Sequence, residues 1–150
     1  MEINIPKPLK VEHEELHAEL VAATKVSGKI GEAAQSVAHI LHPHFVKEEE
    51  YALPPLGLLS ILAEGRLPQD IPAVIAMTNR LKADLSHMLH EHKAVIAALD
   101  KLMEAAENEK KPEIVRFGEK LKLHAQTEEQ VLYPTAILIG EYLQLKIKGC

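Results

Sequence analysis

The sequence predicts an all-α protein: an antiparallel up-down-up-down four-helix bundle built from two helical hairpins, with a short extra C-terminal helix. Three observations carry this. Hydrophobic residues make up 47% of the 150 residues but aromatics only 3%, so Leu, Ile, Val and Ala must build the core. Apolar residues recur at spacings of three and four, and no stretch alternates with period two for long enough to make a sheet. Prolines and glycines separate four long amphipathic segments with mostly short links. At this length the chain is one domain, residues 1–150, large enough to bury a real core.

The first segment follows Pro6 and Pro8. Leu9, His13, Leu16, His17 and Leu20 share one helical face, and the pattern fades near Ser27-Gly28. The second runs from about Gly31 to Leu53, where Pro54-Pro55 stops it; Pro43 inside it predicts a kink or a short break. Residues 54–70 form a connection with an apolar turn or short helix at Leu56–Ala63, closed by Gly65 and Pro68. The third segment starts at Asp70-Ile71-Pro72, with Asp70 as N-cap and Pro72 in the first turn, and runs to about Asn108. Lys110-Lys111-Pro112 turns the chain. The fourth segment covers about Glu113 to Tyr133 and meets Pro134, and Thr135–Lys148 makes the short terminal helix.

Charge and cysteine content narrow the function. The net charge is −5 with no long basic run, which gives a nucleic-acid role little electrostatic support. The start of the chain lacks a basic-then-apolar signal pattern. The most apolar stretch, Tyr51 to Ala63, is too short and too interrupted to span a bilayer. A cytoplasmic protein with neither membrane nor nucleic acid as partner is the expectation. Cys150 is the single cysteine, so thiolate-rich zinc or iron–sulfur sites within one chain are excluded, and an idle terminal thiol is expected. Nine histidines raise metal binding as the first question.

The histidines belong to a repeat. His44-Phe45-Val46-Lys47-Glu48-Glu49 with Pro54 is matched, 80 residues on, by His124-Ala125-Gln126-Thr127-Glu128-Glu129 with Pro134. Glu12-His13 matches Glu91-His92 at an offset of 79. Each half is a helical hairpin. A histidine and a glutamate four apart lie on one helix face and can point into one interior site. The repeat thus contributes four imidazoles, His13, His44, His92 and His124, one per helix, and two carboxylates, Glu48 and Glu128. Buried carboxylates need partners. Two metal ions bridged by these carboxylates are the economical solution, and imidazole with carboxylate suits iron, manganese or zinc. If each ion takes two imidazoles and one oxygen from each carboxylate, it has four protein ligands. An octahedral ion then keeps two further places.

These four motifs, with Tyr133-Pro134 after the last, resemble the hemerythrin-like (HHE cation-binding) family from about Leu9 to about Leu138. The resemblance implies a bundle around a non-haem di-iron centre, two iron ions with an oxo or hydroxo bridge. It also implies a small diatomic ligand, oxygen or nitric oxide, bound for sensing, storage or delivery. A di-iron enzyme of nitric oxide or peroxide detoxification or of iron–sulfur cluster repair, and a closed metal-storage bundle, are the alternatives. The expectation is a ligand-binding protein rather than a turnover enzyme. The fourth segment departs from the oxygen-carrier pattern, with Glu128 four residues after His124 where carriers have Asp five residues after. On the third segment Met88 precedes His92 and Ile96 follows it, where carriers pair two histidines four apart.

His17, one turn beyond His13, is a possible extra ligand. His39, His42, His87 and His90 are expected at the solvent or the rim. Glu49 and Glu129 suit either hydrogen bonds to ligand histidines or a solvated face. Tyr51 and Tyr133 can approach the site or fill the core, with core or rim the expectation, and Phe45 and Phe117 are expected as packing rather than a gate.

Overall fold

The computed structural model describes residues 3–149, so Cys150 lies outside the described residues. Six α-helices form it: α1 (Lys7–Thr24), α2 (Lys29–Lys47), α3 (Leu59–Ala63), α4 (Ile71–Asn108), α5 (Pro112–Thr127) and α6 (Tyr133–Ile147), with no strand among the described residues. Helices α1, α2, α4 and α5 are the four members of the bundle. Asp70 caps α4 as expected, its carboxylate accepting from the Ala73 amide at 3.1 Å.

Of the kink or break expected at Pro43, the structure has no break: helix α2 passes through it. One feature departs from the sequence-based expectation. The short terminal helix is present as α6, but it is not set apart from the fourth bundle helix. It continues α5 through a π-helical turn at Glu128–Leu132, and residues 112–147 form one helical run. A second π turn, Glu48–Ala52, sits at the same place in the first hairpin. Both end on the residue before a proline: Leu53 and Tyr133 donate their amides back five residues, to the Glu48 and Glu128 carbonyls. Proline supplies no amide hydrogen, and its ring would strike the carbonyl four residues back in an α-helix. One extra residue in the turn relieves that clash. After Pro134 the chain resumes as α6. After Pro54-Pro55 it instead tightens into a 3-10 turn (Pro54–Leu58) and leaves the bundle.

Two apolar layers stack along the bundle. One contains Leu16, Leu20, Val37, Leu41, Val95, Leu99, Phe117 and Leu121. The other contains Tyr51, Leu53, Leu81, Met88, Tyr133 and Ile139. Helix α4, ~57 Å long at 1.5 Å per residue, belongs to both. In the second layer α6 approaches it so closely that a Cβ at Gly140 would meet the Thr78 hydroxyl at 2.0 Å. Between the layers each bundle helix changes from apolar to polar for one turn. Along α4 the buried sequence is Met88, His92, Val95; along α2 and its π turn it is Leu41, His44, Phe45, Glu48, Tyr51.

Candidate metal centre

That polar layer brings together all six residues of the repeat. His13, His44, Glu48, His92, His124 and Glu128 are each at most 4% exposed. The imidazoles form two pairs across the bundle. His44 and His92 face each other with Nε2 atoms 2.8 Å apart, and His13 and His124 do so at 3.2 Å. The glutamates lie between the pairs. Glu48 turns Oε2 to His44 (3.5 Å) and Oε1 to His13 (3.7 Å). Glu128 turns Oε1 to His92 (3.3 Å) and Oε2 to His124 (3.2 Å) and His13 (3.6 Å). Each carboxylate therefore offers one oxygen to each histidine pair, the disposition of a bridging ligand.

The outer edges of the imidazoles hold a second ring of carboxylates. His44 Nδ1 donates to Glu91 at 3.2 Å, His92 Nδ1 to Glu129 at 2.9 Å, and His124 Nδ1 to Glu12. Glu49 stands 3.6 Å from His13 Nδ1, beyond hydrogen-bond geometry, and that nitrogen has no partner. Each acid neighbours a member of the inner set in sequence but serves a histidine on another helix. Three links are made around the bundle, α1 to α5, the π turn after α5 to α4, and α4 to α2; the fourth, from Glu49 on the π turn after α2 to α1, falls short. An ionised carboxylate only accepts, so it places the proton on Nδ1 and leaves the Nε2 lone pair facing inward. This is the tautomer a metal ligand needs. Glu12 and Glu91 receive no role from the sequence, although both belong to the repeat. Their signal is the recurrence of Glu beside His.

Charge follows from this packing. Burial, and then the charge of Glu128, push the Glu48 carboxyl up to about 7. Burial opposes ionisation of Glu128 too, but its close polar neighbours, Glu48 first and then His124, His13 and His92, hold it well below the usual carboxylate range. Burial pulls His124 down, yet hydrogen bonds and charge from Glu128, with Glu48 and Glu12 beyond it, outweigh this and raise it to about 9. His44 and His92 are raised by the same opposition of burial and carboxylates. Protons thus neutralise a set of acids and bases too crowded to stand alone.

The fit to cations rests on two buried oxygens. Glu48 Oε1 and Glu128 Oε2 have no hydrogen-bond partner. An unmet buried carboxylate oxygen is costly. Both oxygens lie on the His13/His124 side, facing the Nε2 atoms of those two imidazoles. A cation there would satisfy oxygens and nitrogens together. His44, Glu48, His92 and Glu128 can hold one ion; His13, His124 and Glu128 form a second group with the same capacity.

The surroundings of the two pairs differ. Tyr133, fully buried, donates its hydroxyl to Glu48 Oε2 at 2.5 Å and stands 3.2 Å and 3.3 Å from the Nε2 atoms of His44 and His92. Of the two places the sequence allows it, core or site, it takes both: it fills the core and reaches the site. Tyr51 packs in the apolar layer and donates to Asp84 at 2.5 Å. Phe45 stacks on His13 with ring centres 4.1 Å apart, and Phe117 packs in the first layer. His17 lies outside the buried cluster. It is exposed, with its ring 6.3 Å from that of exposed His42. The core face at that height of α1 is taken by Leu16 and Leu20. His39, His87 and His90 are exposed.

A helical bundle with a buried layer of imidazole and carboxylate, its lone pairs converging, is a cation-binding bundle in class. Among the described residues no helix is long and apolar enough to cross a membrane. The chain belongs to the hemerythrin HHE cation-binding domain family, whose family model matches residues 4–136. No curated protein and no solved structure matches it closely enough to add a relative.

Proposed function

We propose that the chain holds two iron ions, one at each histidine pair, and binds a small diatomic molecule, oxygen or nitric oxide, for sensing, storage or delivery in the cytoplasm. The carrying observation is the sharing of Glu48 and Glu128 between the pairs, with one oxygen of each toward either side. In this reading His44, His92, Glu48 and Glu128 hold one ion, and His13, His124 and the same glutamates hold the other. Iron supplies reversible oxidation and a free coordination place.

The protein's own residues do the rest. Glu91, Glu129 and Glu12 fix the imidazole tautomers and raise ligand basicity. The apolar layers exclude water above and below. The Tyr133 hydroxyl can give or hold a proton beside the His44/His92 pair. The shared acids and raised histidines must release protons when ions enter, so uptake acidifies the medium.

Metal quantitation tests this first, with two iron per chain as the expected result and two zinc with no iron as the result that ends it. Optical spectra of the reduced, iron-loaded protein are then recorded before and after exposure to oxygen and to nitric oxide. No change with either gas defeats the ligand-binding reading. Sustained turnover with a supplied reductant would move the reading to an enzyme.

A further inference from the structure

The outer carboxylate ring is unmet at one place. His13 is 2% exposed and its Nδ1 has no partner, whereas the other three Nδ1 atoms each meet a carboxylate. At that place a cavity of about 220 Å³ opens, lined by His13, Glu14, His17, His42, Phe45 and Glu49 among others. Its mouth carries imidazole and carboxylate side chains. Glu14 and His17 are three residues apart on one face of α1. His42 faces them from α2, its ring centre 6.3 Å from that of His17. Two imidazoles on one ion, at metal–nitrogen distances of 2.0–2.1 Å, bring their ring centres to roughly 4.5–5 Å. Both side chains are exposed and free to close the difference. Glu49 lines the same cavity, half exposed, 3.6 Å from His13 Nδ1. It can swing outward to the mouth or inward to His13.

We infer that His17 and His42, with Glu14 and Glu49, form a surface site for a divalent transition-metal ion that passes ions inward to the buried cluster. The ligand set is mixed imidazole and carboxylate, chemically continuous with the buried set, so an ion moves between like donors. Glu49 is the shared carboxylate of the transfer. When the ion leaves for the interior, Glu49 returns to His13 and completes the outer ring. The delivery role rests on the proposed metal loading of the buried cluster. The surface site does not.

The test uses the double variant His17→Gln, His42→Gln, which alters two exposed side chains and none of the buried six. First, zinc is titrated calorimetrically into iron-loaded protein. Wild type is expected to take one further zinc ion per chain. The variant should bind it at least about tenfold more weakly, since losing two ligands costs no less than losing an outer partner of a ligand. Second, ferrous iron is added to metal-free protein, and retained iron is counted after rapid desalting at successive times. The variant is expected to load about tenfold more slowly, in proportion to the lost surface affinity, and to reach the same final content. Equal zinc binding by both proteins overturns the surface site. Equal loading rates overturn its delivery role. If neither protein retains iron while zinc still distinguishes them, the surface site is supported and the di-iron reading fails.

Discussion

At Glu48 and at Glu128 the chain makes the same move: a histidine, a glutamate one turn later, then a π turn ending before a proline. Beyond that point the two hairpins differ, both in the path of the chain and in the side chains beside the motif. The first exits through Pro54-Pro55, and Leu53 occupies the place that Tyr133 takes in the second. The first carries Lys47, whose Nζ lies 2.7 Å from Glu91; the second has Thr127 at the matching position. The repeat therefore supplies a near-symmetric set of ligands, and residues outside it make the two half-sites unequal. The His44/His92 half is capped by a phenol and braced by a lysine. The His13/His124 half is flanked by Phe45 and by a cavity.

Equivalent residues in the repeat should consequently respond unequally to the same change, most of all the two glutamates. In the metal-free protein Glu128 is ionised among three histidines, and Glu128→Gln removes the charge that balances them. Loss of about 3–5 kcal/mol in urea unfolding is expected, as for breaking a buried ion pair. Glu48→Gln replaces a carboxyl raised to about 7 by its neutral isostere, and at pH 6 should change stability by less than about 1 kcal/mol. Both variants should fail to retain two ions per chain. Equal destabilisation by the two would break the comparison.

Acidity should show the same imbalance as a reversal of slope. Glu48 is raised above its ordinary value, so its contribution to metal-free stability is present below pH 4.5 and lost as pH rises through about 7. His124 is raised from 6.5, and its contribution is lost as pH rises through about 9. Glu128 has the opposite sign and matters only in strong acid. Metal-free protein should therefore lose stability steadily from pH 5 to pH 9. Metal-loaded protein should gain over the same range, because ions compete with fewer protons. Melting curves of both forms across that range check it; parallel slopes would refute the proton-for-metal exchange.

Much of this is legible in the residues. The repeat places His13, His44, His92 and His124 with Glu48 and Glu128: a period of 3.6 puts His44 with Glu48 and His124 with Glu128 on one face, and the matched Glu-His pairs add His13 and His92. Asp70 at its cap is legible too. The π turns are half legible: the prolines recur with the motif, but a proline reads first as a stop, and the wider turn before Pro54 and Pro134 shows only in the structure. The outer carboxylates are not legible as a ring, since Glu12 serves a histidine 112 positions away and Glu91 one 47 away. Such pairings depend on how helices are set against one another. His17 shows the converse. Four-residue spacing permits a shared face with His13, but Leu16 and Leu20 claim the core at that level.

Tyr133 tests the unequal half-sites more finely. Tyr133→Phe removes the hydroxyl that bonds Glu48 and leaves that buried oxygen unmet, an expected cost of about 1–3 kcal/mol in metal-free protein. Leu53→Phe, at the matching position of the first hairpin, removes no polar partner and should affect stability through packing alone. In iron-loaded protein only the tyrosine variant should alter the optical spectrum. A spectrum unchanged by Tyr133→Phe would reduce the residue to packing.

Lys47 gives the smallest expected effect and the sharpest reading of what asymmetry does. Its ammonium shares the Glu91 carboxylate with His44 Nδ1, and with His44 holds that carboxyl below its ordinary value although burial opposes this. Lys47→Thr writes the residue of the second hairpin into the first. The ion pair is only partly buried, so stability should fall by no more than about 1 kcal/mol. The larger consequence is for His44. Freed from the lysine, Glu91 becomes a stronger acceptor, and a histidine that donates more strongly through Nδ1 is the better donor to metal through Nε2. Stepwise metal titration should therefore show the two binding steps shifted relative to each other, with total capacity unchanged. If both steps move together, Lys47 acts on the whole cluster through its charge, and the inequality of the half-sites must come from Tyr133 and the cavity beside His13.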